Sequence, residues 1–282
     1  MKNKCLKIIA FLLVCILVLF TGCSSSSVSG NGKISYDVGE NEATVKGVPN
    51  KSTILEIVIP DEYEGVPVTK IDDFAAVNLE YVTKIIIGKN VKTIGDWAFA
   101  NNQNLVAFEV DKENPYFCSV DGVLFTKDMK ILIAYPISKD VKTITDKDNN
   151  EIKVSEYKVP DGVETIRSKA FYKCKTLSKI ELPNTLKNIE EKAFFRCERL
   201  ESLILPEGIQ QIGKDAFAYC SKIPSVTIPK SIIAIGDYAF YNCTELLEIT
   251  VMKAEVEITL GEKWYPTKNG LKIDGCNIIF NG

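Results

Sequence analysis

The segment from Pro160 to Cys243 repeats itself every 23 residues. Pro160, Pro183, Pro206 and Pro229 open the units, and Ile166, Ile189, Ile212 and Ile235 follow six residues later. Next come the pairs Ala170-Phe171, Ala193-Phe194, Ala216-Phe217 and Ala239-Phe240, then Cys174, Cys197, Cys220 and Cys243. A unit this short cannot bury its own apolar side. A fixed period of this size therefore means coils stacked on one another, a solenoid.

The coil can be read residue by residue. Leu177-x-x-Ile180-x-Leu182-Pro183 alternates apolar and polar positions, which predicts a strand with one face inward. Proline has no N–H to donate and ends the strand. Stacked strands of this kind pair in parallel, about 4.8 Å apart. Leu186 and Ile189 line the opposite side, Ala193 lets the chain turn, and Phe194 plugs the interior. The frame extends upstream through Ile54–Pro60, Val82–Gly88 and Leu105–Val110, with Ala75-Ala76 and Ala98-Phe99 at the corners and Asn102 in the cysteine place. Strand ends at 60, 88, 111, 136, 160, 183, 206, 229 and 252 give nine rungs, including one at Ile131–Pro136.

These patterns resemble the leucine-rich repeat L-x-x-L-x-L-x-x-N/C. They are still more similar to the BspA-type repeats of bacterial surface proteins, I-P-x-x-V-x-x-I-G-x-x-A-F-x-x-C. The resemblance covers Ile34 to Gly282. It implies a mainly β leucine-rich-repeat solenoid with parallel strands on one face and caps at both ends. It also implies adhesion to host matrix or other cells, as the family is known for.

Two regions break the rhythm. Residues 114–136 carry Val120-Asp121-Gly122-Val123-Leu124-Phe125 and then Ile131-Leu132-Ile133, which predicts a hairpin insert turning near Lys127-Asp128. Residues 139–153 are charged and read as an exposed loop. Ile34–Val45 reads as an N-terminal capping hairpin, and Val256–Leu260 with Leu271–Phe280 as the C-terminal cap.

Residues 1–22 read as an export signal: Lys2, Lys4 and Lys7, then an apolar run from Ile8 to Phe20 too short to span a membrane as a helix. Phe20-Thr21-Gly22-Cys23 resembles the lipobox of bacterial lipoproteins, with Phe20 where that motif prefers Leu. The resemblance implies cleavage before Cys23 and lipid on its thiol, anchoring the protein outside the bacterial cell membrane. Residues 23–33 are rich in Ser and Gly and read as a tether, leaving 34–282 for the solenoid.

Catalytic chemistry finds little support. The chain has no histidine, which removes Ser-His-Asp and Cys-His activation and the commonest metal ligand. The cysteine column, spaced by 23 residues, matches no zinc motif and reads as buried thiols. Cys118 and Cys276 lie outside it, and their pairing stays open. Glu190-Glu191 and Asp72-Asp73 read as solvated surface. Asp146–Asn150 loosely resembles a calcium loop without its glycine and terminal glutamate. No cofactor, metal or catalytic residue is expected. The formal charge is −3, and without the three signal lysines 31 basic residues face 37 acidic ones, which argues against nucleic acid.

Surface remains. The outward strand positions vary between coils while the inward ones stay apolar. They are Lys84, Ile86, Glu109, Glu156, Lys158, Lys179, Glu181, Ser202, Ile204, Ser225, Thr227, Glu248 and Thr250. They form the candidate binding face for a protein or other macromolecule. A second row, Tyr172, Phe195, Ala218 and Tyr241, follows the Phe column and reads as filler beside the core. The expected function is a non-enzymatic, lipid-anchored surface protein that binds a macromolecule. The alternative is a structural or scaffolding protein of the cell envelope.

Overall fold

A computed structural model describes residues 33–281 apart from 52, 269, 270, 273 and 274. The signal segment, Cys23 and the tether as far as Gly32 lie outside the described residues. The rest winds as a β solenoid in which backbone hydrogen bonds tie neighbouring coils in three columns, each interrupted at the middle of the chain. The main column pairs Glu56–Ile59 with Lys84–Ile87 and that strand with Ala107–Val110, all parallel and in register. Along Ser225–Ile228, Val226 and Ile228 are buried and Ser225 and Thr227 exposed, as an alternating strand with one dry face requires. The second column is short and regular: Ile166 pairs with Ile189, Ile189 with Ile212, Ile212 with Ile235 and Ile235 with Leu260.

The third column joins the corners. Lys169 N–H donates to Glu191 (3.1 Å), Phe171 to Ala193 (2.8 Å) and Lys173 to Phe195 (2.8 Å). Each such corner holds two residues in the left-handed region, here Lys169 at φ 57° and Lys173 at φ 58°. That conformation is costly for a side chain with a Cβ, and the three bonds hold it in place. Close approach also requires glycine in places. A Cβ on Gly213 would meet the Glu190 carbonyl carbon and the Glu191 nitrogen at 2.6 Å.

Inside, Phe171, Phe194, Phe217 and Phe240 are fully buried and stacked, with centroids 4.8, 5.1 and 5.5 Å apart. Ring spacing thus follows coil spacing. The cysteine column lies beside them, fully buried. The Cys197, Cys220 and Cys243 thiols donate to the Phe171, Phe194 and Phe217 carbonyls at 3.3, 3.2 and 3.1 Å. Asn102 makes more bonds in the same place: its amide donates to Ala76 and Phe99 and its oxygen accepts from Leu79.

The middle of the chain departs from a plain stack. Phe117–Val120, Val123–Thr126 and Ile131–Ala134 form an antiparallel meander. Asp121 (φ 51°) and Gly122 (φ 75°) make its first turn, the two-residue kind that matches strand twist. Ile131–Ala134 is not a rung of the main face, contrary to the strand-end spacing. It joins the second column, pairing Leu132 with Ile166. The meander is buried on both sides. Val123, Phe125 and Leu132 pack into one hydrophobic core running on to Cys276. Leu124 and Ile133 pack into another that begins at Tyr36. The meander is thus a septum between two cores, and Tyr135 then continues the Phe stack, 4.8 Å from Phe171.

The charged segment after it folds as a hairpin rather than an open loop: Lys142–Thr145 pairs with Glu151–Lys158, and Asp146 accepts from the Asp148 and Asn150 amides in the turn. Lys139 is buried, paired with Asp121 at 3.0 Å and Asp140 at 2.8 Å, which fastens this segment to the meander.

At the N-terminus Ser35–Val38 and Ala43–Gly47 form a hairpin whose second strand pairs with Val66–Ile71. At the other end, Thr259–Leu260 and Asn277–Phe280 extend the second and main columns. One main-face rung forms no ladder: Leu203 and Leu205 are buried and Ser202 and Ile204 exposed, but 201–205 is not a strand. Pro224, one coil on from Glu201, has no N–H to return to it.

Phe217→Ala should cost roughly 3–5 kcal/mol in chemical denaturation, the range for emptying a large buried aromatic site. Hydrogen exchange should accelerate on the core running from Val123 to Cys276 and leave the Tyr36–Phe117 side largely protected, because the septum separates them.

Candidate binding surfaces

The strand face presents the outward positions in registered rows. Glu109, Glu156, Lys158, Lys179, Glu181, Ser202, Ile204, Ser225, Thr227 and Glu248 are exposed, and Lys84, Ile86 and Thr250 half-buried. Its charges largely answer one another. Lys84 lies 2.9 Å from Glu109 and 3.5 Å from Glu56, and Lys179 lies 3.0 Å from Glu181. Glu156 stands opposite Lys179 and Lys158 opposite Glu181. The bond to Glu109 raises the Lys84 pKa, and the bond to Lys179 lowers that of Glu181. Such exposed pairs contribute little stability, but they leave the plane nearly neutral. Apolar spots interrupt it, chiefly Ile204 at 80% exposed and Val58 at 53%, the latter beside Ile86.

A second surface lies along the corners. Tyr172 stacks on Phe195 at 5.3 Å, Phe195 meets Tyr219 edge-on at 5.3 Å, and Tyr219 meets Tyr241 at 5.4 Å. Ala218 is fully buried, so the aromatic row passes through Tyr219 instead. Arg196 lies over Tyr219. At its upstream end the row meets a seam where the corner of 97–101 faces that of 169–173. Among the described residues no backbone hydrogen bond joins these two corners directly; side chains and the backbone of Tyr135 lie between them. Trp97 Nε1 donates to Ser168 Oγ at 3.1 Å, and Arg167 donates to the Ile94 carbonyl at 2.9 Å and Asp96 at 2.8 Å. Lys169 Nζ lies over the Trp97 ring and 4.5 Å from the Tyr172 centroid. Phe74 backs Trp97 edge-on at 5.0 Å. Sequence reading missed Trp97 and Lys169. Both sit three residues after the second-column isoleucines Ile94 and Ile166, but nothing in the periodicity shows that the coil between them lacks a matching corner.

Burial pushes the Lys169 ammonium down to about 8, helped by the like charges of Lys192 and Lys173. The aromatic faces pull the other way, since they favour the charged form. Titration should find Lys169 below the ordinary lysine value. Because its folded value is depressed, the unfolded chain binds more protons between about pH 8 and 10.5, and this residue adds stability as pH rises through that window. Carbon-detected NMR of the lysine ε-methylenes measures the midpoint directly.

Among the described residues no group of three or more His, Cys, Asp or Glu side chains is placed to hold a metal. The described cysteines are all free, so Cys118 and Cys276 do not pair. Cys118 is half-buried, its thiol donating to the Thr126 carbonyl, and burial raises its pKa. Burial raises those of Cys174, Cys197, Cys220 and Cys243 as well. A thiol reagent applied to the native protein should modify Cys118 first and leave the column unlabelled until unfolding, as peptide mass spectrometry would show.

The BspA type leucine rich repeat region matches residues 50–147 and 142–262, in six copies. A search of curated proteins returns no match. Among solved structures, the pneumococcal vaccine antigen PcpA is 23% identical, with 86% of this chain and 71% of that one covered and a TM-score of 0.55. A leucine-rich repeat protein from Eubacterium ventriosum is 18% identical, covering 86% of this chain and 84% of its own, at a TM-score of 0.54. These two share the fold. With matches over most of its length and the stacked coils described above, the chain belongs to the BspA-type leucine-rich-repeat family.

Proposed function

We propose that this protein is exported, is held outside the bacterial cell membrane by lipid on Cys23, and binds another macromolecule through its solenoid surface without catalysing a reaction. Adhesion to host matrix or to other cells is the form of binding favoured. One observation carries the reading: the side chains that repeat are spent on stacking, and those that vary stand outward on a frame fixed by the ladders. Val226 and Ile228 are buried, whereas Ser225 and Thr227 stand exposed opposite Glu248 and Thr250. A surface whose chemistry varies over an invariant frame is suited to recognition. The absence of histidine from the sequence and the carbonyl-bonded thiol of Cys118 support a non-enzymatic role.

The mature protein, immobilised through a C-terminal tag, should capture a defined protein from host extracellular matrix. Capture only from the cell's own envelope would support scaffolding instead, and capture from neither would contradict binding. Charge reversal at Lys179, Glu181 and Glu248 together should weaken capture at least tenfold if the strand face is used; unchanged capture moves the site elsewhere. Intact mass should show a diacylated Cys23 as the first residue, and an unlipidated terminus would remove the anchor.

A further inference from the structure

The corner ladder skips a rung at the seam. The corners 74–78, 169–173, 192–196, 215–219 and 238–242 each donate three backbone N–H groups to the following coil. The corner of 97–101 donates none: Trp97, Phe99 and Asn101 N–H have no partner among the described residues. On the facing wall the matching acceptors are the carbonyls of Ser168, Ala170 and Tyr172, and only Ala170 is used, by Tyr135 N–H at 2.9 Å. The two walls therefore offer unused donors on one side and unused acceptors on the other.

The cleft between them is narrow, about 30 Å³, room for a water or two. Trp97 and Lys169 fill its mouth. Both are half-exposed, and the indole is held across the seam by one hydrogen bond and a cation contact. Below it opens a groove of about 400 Å³ lined by Gln103, Thr143, Lys153, Lys173, Lys175 and Thr176. Lys175 is paired with Glu198 and Arg167 with Asp96, but Lys153, Lys169 and Lys173 make no ion pair among the described residues. On a chain with net negative charge, this is a local run of unanswered positive charge.

We infer that the seam and its lysine-lined groove form a docking site for a short acidic peptide segment of a partner protein. The segment would replace the missing rung, accepting from Trp97 and Asn101 N–H and donating to the Ser168 and Tyr172 carbonyls, with its carboxylates toward Lys169, Lys173 and Lys153. Donors and acceptors that alternate along a chain are a property of peptide backbone, and the mode is completion of a ladder by a foreign strand or turn. The inference rests on the macromolecule-binding reading above and adds to it a site and the chemistry of the partner. Docking requires the Trp97 ring to swing out of the seam.

The test uses the full mature chain and a displayed library of ten-residue peptides with Asp or Glu at alternate positions. Selected peptides should change Trp97 fluorescence and slow exchange of the Trp97, Phe99 and Asn101 amides. Lys169→Glu with Lys173→Glu should weaken them more than tenfold, and Lys169→Arg with Lys173→Arg should restore most of the affinity. Methylating alternate backbone nitrogens of a selected peptide should also cost at least tenfold, since charge is kept and donors are lost. No enrichment of binders, binding indifferent to the methylation, or equal binding of a polyuronate would overturn the inference, the last two reducing the seam to a charged patch. Strand-face charge reversal is neutral in this assay. Peptide binding can thus fail while matrix capture succeeds, or the reverse, which separates this inference from the broader reading.

Discussion

Every feature of this molecule depends on the backbone hydrogen bonds that tie one coil to the next. They run in three columns: the main strands, the short isoleucine rungs and the corners. Through the regular coils such a ladder holds the length at 23 residues, as from Ile189 to Ile212, and a longer coil must loop its excess out, as between Ile57 and Ile85. Once length is fixed, the side chains repeat for packing reasons. Phenylalanine rings stack at the spacing of the coils, cysteine thiols occupy the carbonyls beside them, and Gly213 lets two backbones touch. Residues bound into this system have little freedom left for recognition.

The same bonds give meaning to the place where they lapse. The meander of Phe117–Ala134 is inserted edgewise, so that one side of each strand faces each core. It closes the interior as a coil would but has no Ala-Phe corner. The ladder on that edge ends at Asn101 and resumes at Lys169, bridged by Trp97, Ser168 and Arg167. The buried Lys139 ties the meander's Asp121 to the segment that follows. A departure from the repeat, compensated inside and left open outside, is where a solenoid can bind something without losing a rung of its own.

Much of this was legible in the sequence because stacking is periodic. The Phe, Cys and Asn102 positions, the inward strand residues and the N-terminal hairpin follow from spacing and alternation alone. The rest depends on contacts that periodicity does not encode. Ile131–Ala134 carries the apolar pattern of a main rung yet joins the second column, because its partner is chosen by the meander and not by its own residues. The 139–153 segment looks like a loop because both strands of an exposed hairpin are charged. Pro224 withholds a donor from Glu201, one coil before it, a loss visible only once coils are stacked. The seam is further from reach still: Trp97 and Ser168 are separated by 71 residues and meet only because a corner is missing between them.

The division between residues that stack and residues that recognise is most directly tested by substituting every position and sorting the variants twice, once for folded display and once for capture of the matrix partner. Substitutions in the Phe, Cys and isoleucine columns should lose display. Those at the outward strand positions and around the seam should keep display, and some of them should lose capture. A set of variants in the buried columns that stay folded and displayed while losing capture would contradict it, because recognition would then reside in the residues assigned to stacking.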